Sequence, residues 1–278
     1  MRAQDALPAA IRRLSDAGVP DAALDARKLL AHALRLPPDR MTLHLGDAMT
    51  AGDIARFDAA ITARAMRQPV SQIIGHRDFF GRSFRVTPDV LDPRPETEVL
   101  VLAALAEPFD RVLDLGTGSG CILLTLLAER PEASGVGTDL SDAALTVAAA
   151  NRHRLGLEAR AELRAGNWFG AVAGQGMFDL VVSNPPYIAA ADLPDLDPEV
   201  RNWEPLLALS SGGDGLDSYR ALAHGVADHL APGGRLMAET GPTQGPSVKA
   251  LWHQAGLQRV AILPDLDGRD RVVVGFAP

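Results

Sequence analysis

The spacing of apolar positions changes period twice along the chain. Over the first 75 residues it is helical: Leu7, Ala10, Ile11 and Leu14 share one face, with Asp5 as a candidate cap and Gly18 as a stop. Pro20-Asp21 opens a second helix carrying Leu30, Ala33 and Leu34, which Pro37-Pro38 ends. Thr50-Ala51-Gly52-Asp53 reads as a capping box ahead of Ile54, Phe57, Ile61 and Ala65. Arg64 and Arg67 fall at the end of that helix, where its dipole favours cations. Between 76 and 94 the run from Phe79 to Val86 predicts two short strands around Gly81, followed by prolines at 88, 93 and 95.

From Arg111 onward short apolar runs alternate with helical stretches. Strands are predicted at 111–115, 134–138, 161–164, 178–184, 235–239, 258–263 and 272–276. Helices are predicted from the Gly-rich turn to about 130, and at 142–155, 218–230 and 244–255. Such alternation implies an α/β fold with a mostly parallel sheet covered on both faces. The expected organisation is a helical domain over 1–75, a hairpin linker over 76–94 and a sheet domain over 95–278.

Composition narrows the picture modestly. Formal net charge is −8, so the electrostatic footprint that drives most nucleic-acid binding is missing, and no direct nucleic-acid partner is expected. The single cysteine, Cys121, can form neither an internal disulfide nor a zinc cluster, and no metal site is expected. The first residues lack the apolar core of a signal peptide, and no apolar run is long enough to span a bilayer. A cytoplasmic protein without a membrane partner, and a monomer, is the expectation.

The densest chemistry lies in Asn184-Pro185-Pro186-Tyr187, directly after an apolar strand. Neither proline can extend the strand, and strand carboxyl ends are where ligands bind in open α/β sheets. The Asn184 side-chain oxygen and the Pro185 carbonyl are two acceptors that can converge on one NH2 group, and Tyr187 can stack on the flat group carrying it. Asn-Pro-Pro is also an ordinary turn signal, so a second site is needed to support the functional reading. Gly116-Thr117-Gly118-Ser119-Gly120 supplies it, because glycines after a strand let backbone approach a ligand closely. Asp139 ends the next strand roughly 20 residues on, where a carboxylate can accept from both hydroxyls of a ribose or else cap a helix with Ser141. Asn167 and Trp168 follow the third strand, where an adenine could lie, although Trp168 could equally be core. The Gly-x-Gly-x-Gly spacing disfavours a nicotinamide dinucleotide and suits S-adenosylmethionine.

With these elements the chain resembles the release-factor glutamine methyltransferases, the HemK/PrmC family. The resemblance runs over nearly the whole length. It is carried by Asp25-Ala26-x-x-Leu29-Leu30, Pro69 to Gly75, Pro93-Arg94-Pro95-Glu96-Thr97-Glu98, Asp114 to Gly120 and Ser183 to Tyr187. It continues through Glu204-Pro205-Leu206-x-Ala208-Leu209, Gly213 to Arg220 and Pro232-Gly233-Gly234. It implies a Rossmann-like class I methyltransferase sheet of seven strands with the last antiparallel, preceded by a small helical domain that grips a protein substrate. The implied reaction is methyl transfer to the side-chain nitrogen (N5) of the glutamine in the Gly-Gly-Gln loop of bacterial peptide-chain release factors. Gly116, Thr117, Gly118, Ser119, Gly120, Asp139, Asn167, Trp168 and Asn184 would contact the cofactor. Asn184, Pro185, Pro186 and Tyr187 would hold the glutamine, Asn184 and Pro185 in the catalytic role. Asp92 stands where an apolar residue is expected, and Asn167 where an acid is usual. Rival readings are an adenine-N6 methyltransferase acting on DNA or RNA, and a catalytically silent adenosine-binding interaction module.

Overall fold

The computed structural model describes residues 1–278, Pro38 through its backbone alone. The contacts divide the chain into two units, one of Met1–His76 with Asp197–Trp203, the other of Arg77–Leu196 with Glu204–Pro278.

The first unit is helical: α1 (Ala3–Asp16), α2 (Ala22–Ala33), a 3-10 turn at Pro38–His44, α3 (Ala51–Ala65) and α4 (Val70–Ile74). Leu14, Leu30 and Ile61, at the expected helical spacing, are buried in one cluster, which Leu29 joins. The Thr50 capping box forms: Thr50 Oγ1 accepts from Asp53 N at 3.1 Å, and Asp53 accepts from Thr50 N at 2.8 Å. Asp5 does not cap α1. The helix starts at Ala3, and Asp5, in its first turn, accepts from Arg2 N at 3.1 Å. Arg64 and Arg67 have partners stronger than a helix dipole. Arg64, 6% exposed, reaches Asp25 at 2.7 Å and Glu199 at 2.9 Å, and Arg67 Nε reaches Glu199 at 2.7 Å. Glu199 belongs to the later segment 197–203, nearly all of it helix; Trp203 there donates to the Met66 carbonyl at 3.2 Å, and its own carbonyl accepts from Gln72 at 2.9 Å. Removing one partner of such a buried ion pair costs about 3–5 kcal/mol.

From Arg77 the second unit continues the hairpin β1 (His76–Phe79) and β2 (Arg82–Arg85), where Phe79 and Phe84 pack edge to face at 6.1 Å. A 3-10 turn at Pro95–Thr97 leads into α5 (Glu98–Leu105). Then follow β3 (Arg111–Leu115), α6 (Cys121–Glu129), β4 (Ser134–Asp139), α7 (Asp142–Arg154), β5 (Ala161–Ala165) and β6 (Phe178–Ser183). After the short α8 (Pro198–Trp203) of the first unit come α9 (Leu206–Leu209), α10 (Asp217–Gly225), β7 (Leu230–Glu239), α11 (Gly245–Gln254), β8 (Gln258–Pro264) and β9 (Asp270–Phe276). The helix expected to run to residue 230 stops at Gly225, and Leu230 already pairs with Phe178. Pro232-Gly233-Gly234 interrupts that pairing as a bulge, with Gly233 at φ +72°.

The seven strands lie in the order β5-β4-β3-β6-β7-β9-β8, and β9 alone runs opposite to the other six. Alternate residues feed two cores: Val112, Leu180 and Val182 join α5 and α6 on one face, while Leu113, Leu115 and Val181 join α10 and α11 on the other. The chain winds outward from β3 to β5 and returns to the other side of β3 as β6. The carboxyl ends of β3, β4 and β6 therefore flank the switch point, where a crevice forms in such sheets.

Candidate active site

The Gly-rich turn is stitched to β4. Gly116 N and Thr117 N both donate to the Thr138 carbonyl, at 2.9 and 2.8 Å, and Gly118 N donates to Asp139 Oδ2 at 2.9 Å. The three glycines have different reasons to be glycine. Gly116 (φ +74°) and Gly118 (φ +54°) need positive φ, and a Cβ on either would meet no atom within 4 Å, so open space lies above them. Gly120 also holds positive φ (+81°), and in addition a Cβ on it would lie 2.9 Å from Leu124 Cδ1, so it is a packing glycine as well at the start of α6. Asp114 underpins the turn, accepting from Thr117 Oγ1 at 2.7 Å and from Leu123 N at 3.3 Å. Complete burial pushes its carboxyl up to about 7.

Asp139 braces the start of α7 without capping it. Its Oδ1 accepts from Ser141 N at 2.9 Å, Ser141 caps α7, and two lone-pair positions remain on the carboxylate beside the cleft. At the end of β5, Asn167 and Trp168 also face the cleft. Trp168 holds φ +46°, which a bulky side chain adopts only at a cost of about 1–3 kcal/mol, while part of its ring packs against the β3–β6 core.

At the end of β6, Ser183 Oγ donates to the Leu115 carbonyl at 2.7 Å, tying the motif to the central strand. Asn184 Nδ2 donates to Thr97 Oγ1 at 3.2 Å, and neither its Oδ1 nor the Pro185 carbonyl meets a donor among the described residues. The next two carbonyls are occupied: Pro186 accepts from Ser218 Oγ at 3.0 Å, and Tyr187 from Gln244 Nε2 at 2.9 Å. Tyr187 packs against the core, and burial raises its hydroxyl above the usual tyrosine value.

These strand ends enclose a cleft of about 340 Å³ within the second unit, a size suited to a small ligand. Of the residues singled out in the sequence, Gly116, Thr117, Gly118, Ser119, Asp139, Asn167, Trp168, Asn184 and Pro186 line it, whereas Gly120, Pro185 and Tyr187 do not. Sequence reasoning passed over Leu140 and Leu207, apolar yet 58% and 51% exposed, which also line the cleft. An apolar residue between an acid and a helix cap was the one available signal for Leu140. It also passed over the Arg94–Glu204 pair, in which one guanidinium nitrogen reaches both carboxylate oxygens at 2.6 and 2.7 Å. Asp92 is 5% exposed in the same wall, with Arg77 at 4.0 Å.

The profile of the PrmC N-terminal domain matches residues 5–75, and that of the methyltransferase small domain matches residues 91–195. A release factor glutamine methyltransferase of Cereibacter sphaeroides is 62% identical over 278 residues, covering 100% of this chain and 99% of its own. Proteins of the same name from Rhodospirillum rubrum and Caulobacter vibrioides are 47% and 45% identical, over 94% and 96% of this chain and 81% and 93% of their own. The chain belongs to the release factor glutamine methyltransferase family. Solved structures agree on the fold. A methyltransferase from Pyrococcus furiosus superposes with a TM-score of 0.54 at 18% identity, over 71% of this chain and 90% of that one. The hMettl16 catalytic domain superposes with a TM-score of 0.58 at 16% identity, over 77% and 81%. As a family member the chain is a methyltransferase with a class I sheet. No helix of the described residues is long and apolar enough to cross a membrane.

Proposed function

We propose that this enzyme transfers a methyl group from S-adenosylmethionine to the side-chain amide nitrogen of the glutamine in the Gly-Gly-Gln loop of bacterial peptide-chain release factors. The observation that carries the reading is the pair of unengaged acceptors, Asn184 Oδ1 and the Pro185 carbonyl, at the strand end that abuts the cleft. The residues present fit the cofactor: bare backbone at Gly116 and Gly118 leaves room for close approach, and Asp139 retains two acceptor positions for ribose hydroxyls. Trp168 and Leu140 offer apolar surface for an adenine, and the Asn167 side chain offers an amide for its edge. When bound, the cofactor supplies an electrophilic methyl on a cationic sulfonium.

An amide nitrogen is a poor nucleophile because its lone pair is delocalised into the carbonyl. Asn184 Oδ1 and the Pro185 carbonyl would each accept one hydrogen of the target NH2, fixing the direction of the lone pair and stabilising positive charge as it develops on nitrogen. Tyr187 would back the motif from the core side. The proton leaves to water after transfer. The helical unit holds no catalytic group and is read as the grip for the release factor, with 76–94 as linker and 95–278 as the methyltransferase domain. A net charge of −8 favours a folded protein over a polyanion as substrate. The test is mass spectrometry of release factor after incubation with the enzyme and labelled cofactor. Methyl mapped to the Gly-Gly-Gln glutamine supports the reading; methyl on DNA or RNA adenine, with none on release factor, refutes it.

A further inference from the structure

We infer that Glu239 is a positioning residue for Asn184, acting through the Thr97 hydroxyl to decide which end of the Asn184 amide is offered to the substrate. The inference rests on the role of Asn184 proposed above. An asparagine amide has nearly the same shape either way round, but one end accepts hydrogen bonds and the other donates them. A target NH2 needs the accepting end. Asn184 Nδ2 lies 3.2 Å from Thr97 Oγ1, and Thr97 is 2% exposed. Its hydroxyl also faces the Glu239 carboxylate. A hydroxyl has one proton to give, and an ionised carboxylate can only accept. The Thr97 proton therefore goes to Glu239, its lone pair is left for the Asn184 NH2, and Oδ1 is turned to the substrate. Without a carboxylate there, the Thr97 proton is free to bond Asn184 Oδ1. The amide then turns over, and two NH2 groups meet donor to donor.

Glu239 ends β7 at 2% exposure and does not line the cleft. Its Oε2 is buried without a hydrogen-bond partner, while its backbone carbonyl accepts from Tyr219 Oη at 2.9 Å. The titratable and charged groups around it come from every neighbouring element. Arg271 on β9 lies 4.0 Å from Oε1 and is itself held by Asp265 at 3.0 Å; Arg94 and Glu96 approach from the turn before α5, Tyr187 from the end of β6 and Tyr219 from α10. Burial outweighs Thr97 and both arginines and pushes the carboxyl up to about 7. The orienting chain of bonds is thus complete when Glu239 is ionised, and is released as pH falls through neutrality.

The experiment measures single-turnover methylation of release factor from pH 5.5 to 9, alongside cofactor affinity and thermal melting. Thr97→Val should slow transfer about 3- to 10-fold, the value of one lost neutral hydrogen bond, with cofactor and release-factor affinity unchanged. Thr97→Ser, which keeps the hydroxyl, should restore the rate. The wild-type rate should rise with pH through about 7, and Glu239→Gln should abolish that limb. Thr97→Val at the wild-type rate, Thr97→Ser as slow as the valine variant, or a limb that persists in Glu239→Gln would each overturn the inference. If Glu239→Gln does not fold, the limb is read in Thr97→Val, where its loss supports the relay and its persistence refutes it. Failure of the underlying reading looks different: wild type leaves the glutamine unmodified, or Asn184→Ala transfers methyl at the wild-type rate.

Discussion

Asp139→Asn separates the ribose role of Asp139 from its role in bracing the turn. In the structure the carboxylate already accepts from Gly118 N and Ser141 N, both at 2.9 Å. Of its roughly four lone-pair positions two remain, one for each hydroxyl of a ribose. Asparagine has a single accepting oxygen of similar reach. It can keep one backbone bond and one ribose bond, and it loses a charge-assisted bond worth about 1.5–3 kcal/mol. S-adenosylhomocysteine should accordingly bind about 10- to 150-fold more weakly. Alanine removes every acceptor and frees the Gly118 amide as well, so its loss should exceed that of asparagine. Titration calorimetry with S-adenosylhomocysteine and with its 2′,3′-dideoxy counterpart makes a double-mutant cycle. The mutation should weaken the hydroxylated ligand markedly and the dideoxy ligand little. If the Asp139→Asn variant binds both ligands as wild type does, or loses affinity for both equally, ribose recognition is refuted and Asp139 is left as a turn brace only.

Three further outcomes are expected. Asn184→Ala should lower turnover about 10²- to 10³-fold, as for one preorganised hydrogen-bonding group, with calorimetric cofactor affinity nearly kept; turnover within a few-fold of wild type would remove its orienting role. Burial raises the carboxyls of Asp114 and Glu239 to about 7 in the folded chain, above their unfolded values, so the stability each contributes is complete at acid pH and is lost as pH rises through about 7. Urea unfolding should show a fall of roughly 1–2 kcal/mol per group between pH 6 and 8, and Asp114→Asn should remove its own share. Gly135→Ala should destabilise by about 1–3 kcal/mol in the same assay, because its Cβ would lie 2.6 Å from Val112 Cγ1 and 2.9 Å from the Val112 carbonyl. An unchanged midpoint would refute the clash.

The sheet was legible because its signals are local. A strand buried on both faces is a short apolar run, and Gly116 to Gly120 and Asn184 to Tyr187 each follow one at its carboxyl end. The parallel order then brings to one cleft most of the residues that the motifs marked. What stayed hidden was set by distance in the chain. Nothing near residue 199 announces that its carboxylate joins Arg64 and Arg67, more than 130 residues earlier, because ion-pair partners leave no periodic trace. The segment 197–203 sits in a stretch rich in Asp and Pro that reads as a loop, yet it completes the helical unit. Likewise Arg64 looked like a cation placed for a helix dipole, an interaction worth less than about 1 kcal/mol at an exposed site, until a buried partner with a stronger hold appeared.

The same distinction separates the two halves of the candidate site. Asn184 is visible in the sequence because the prolines beside it mark a strand end, but the handedness of its amide is not a property of the motif. It depends on Thr97, 87 residues earlier, and through it on Glu239, which the sequence shows only as the last residue of an apolar strand. A carboxylate ending such a strand is expected to meet water. This one is buried behind the cleft, and burying an acid with an unpartnered oxygen is unfavourable. A neutral side chain at that strand end would avoid that cost, but it would leave the amide of Asn184 free to turn.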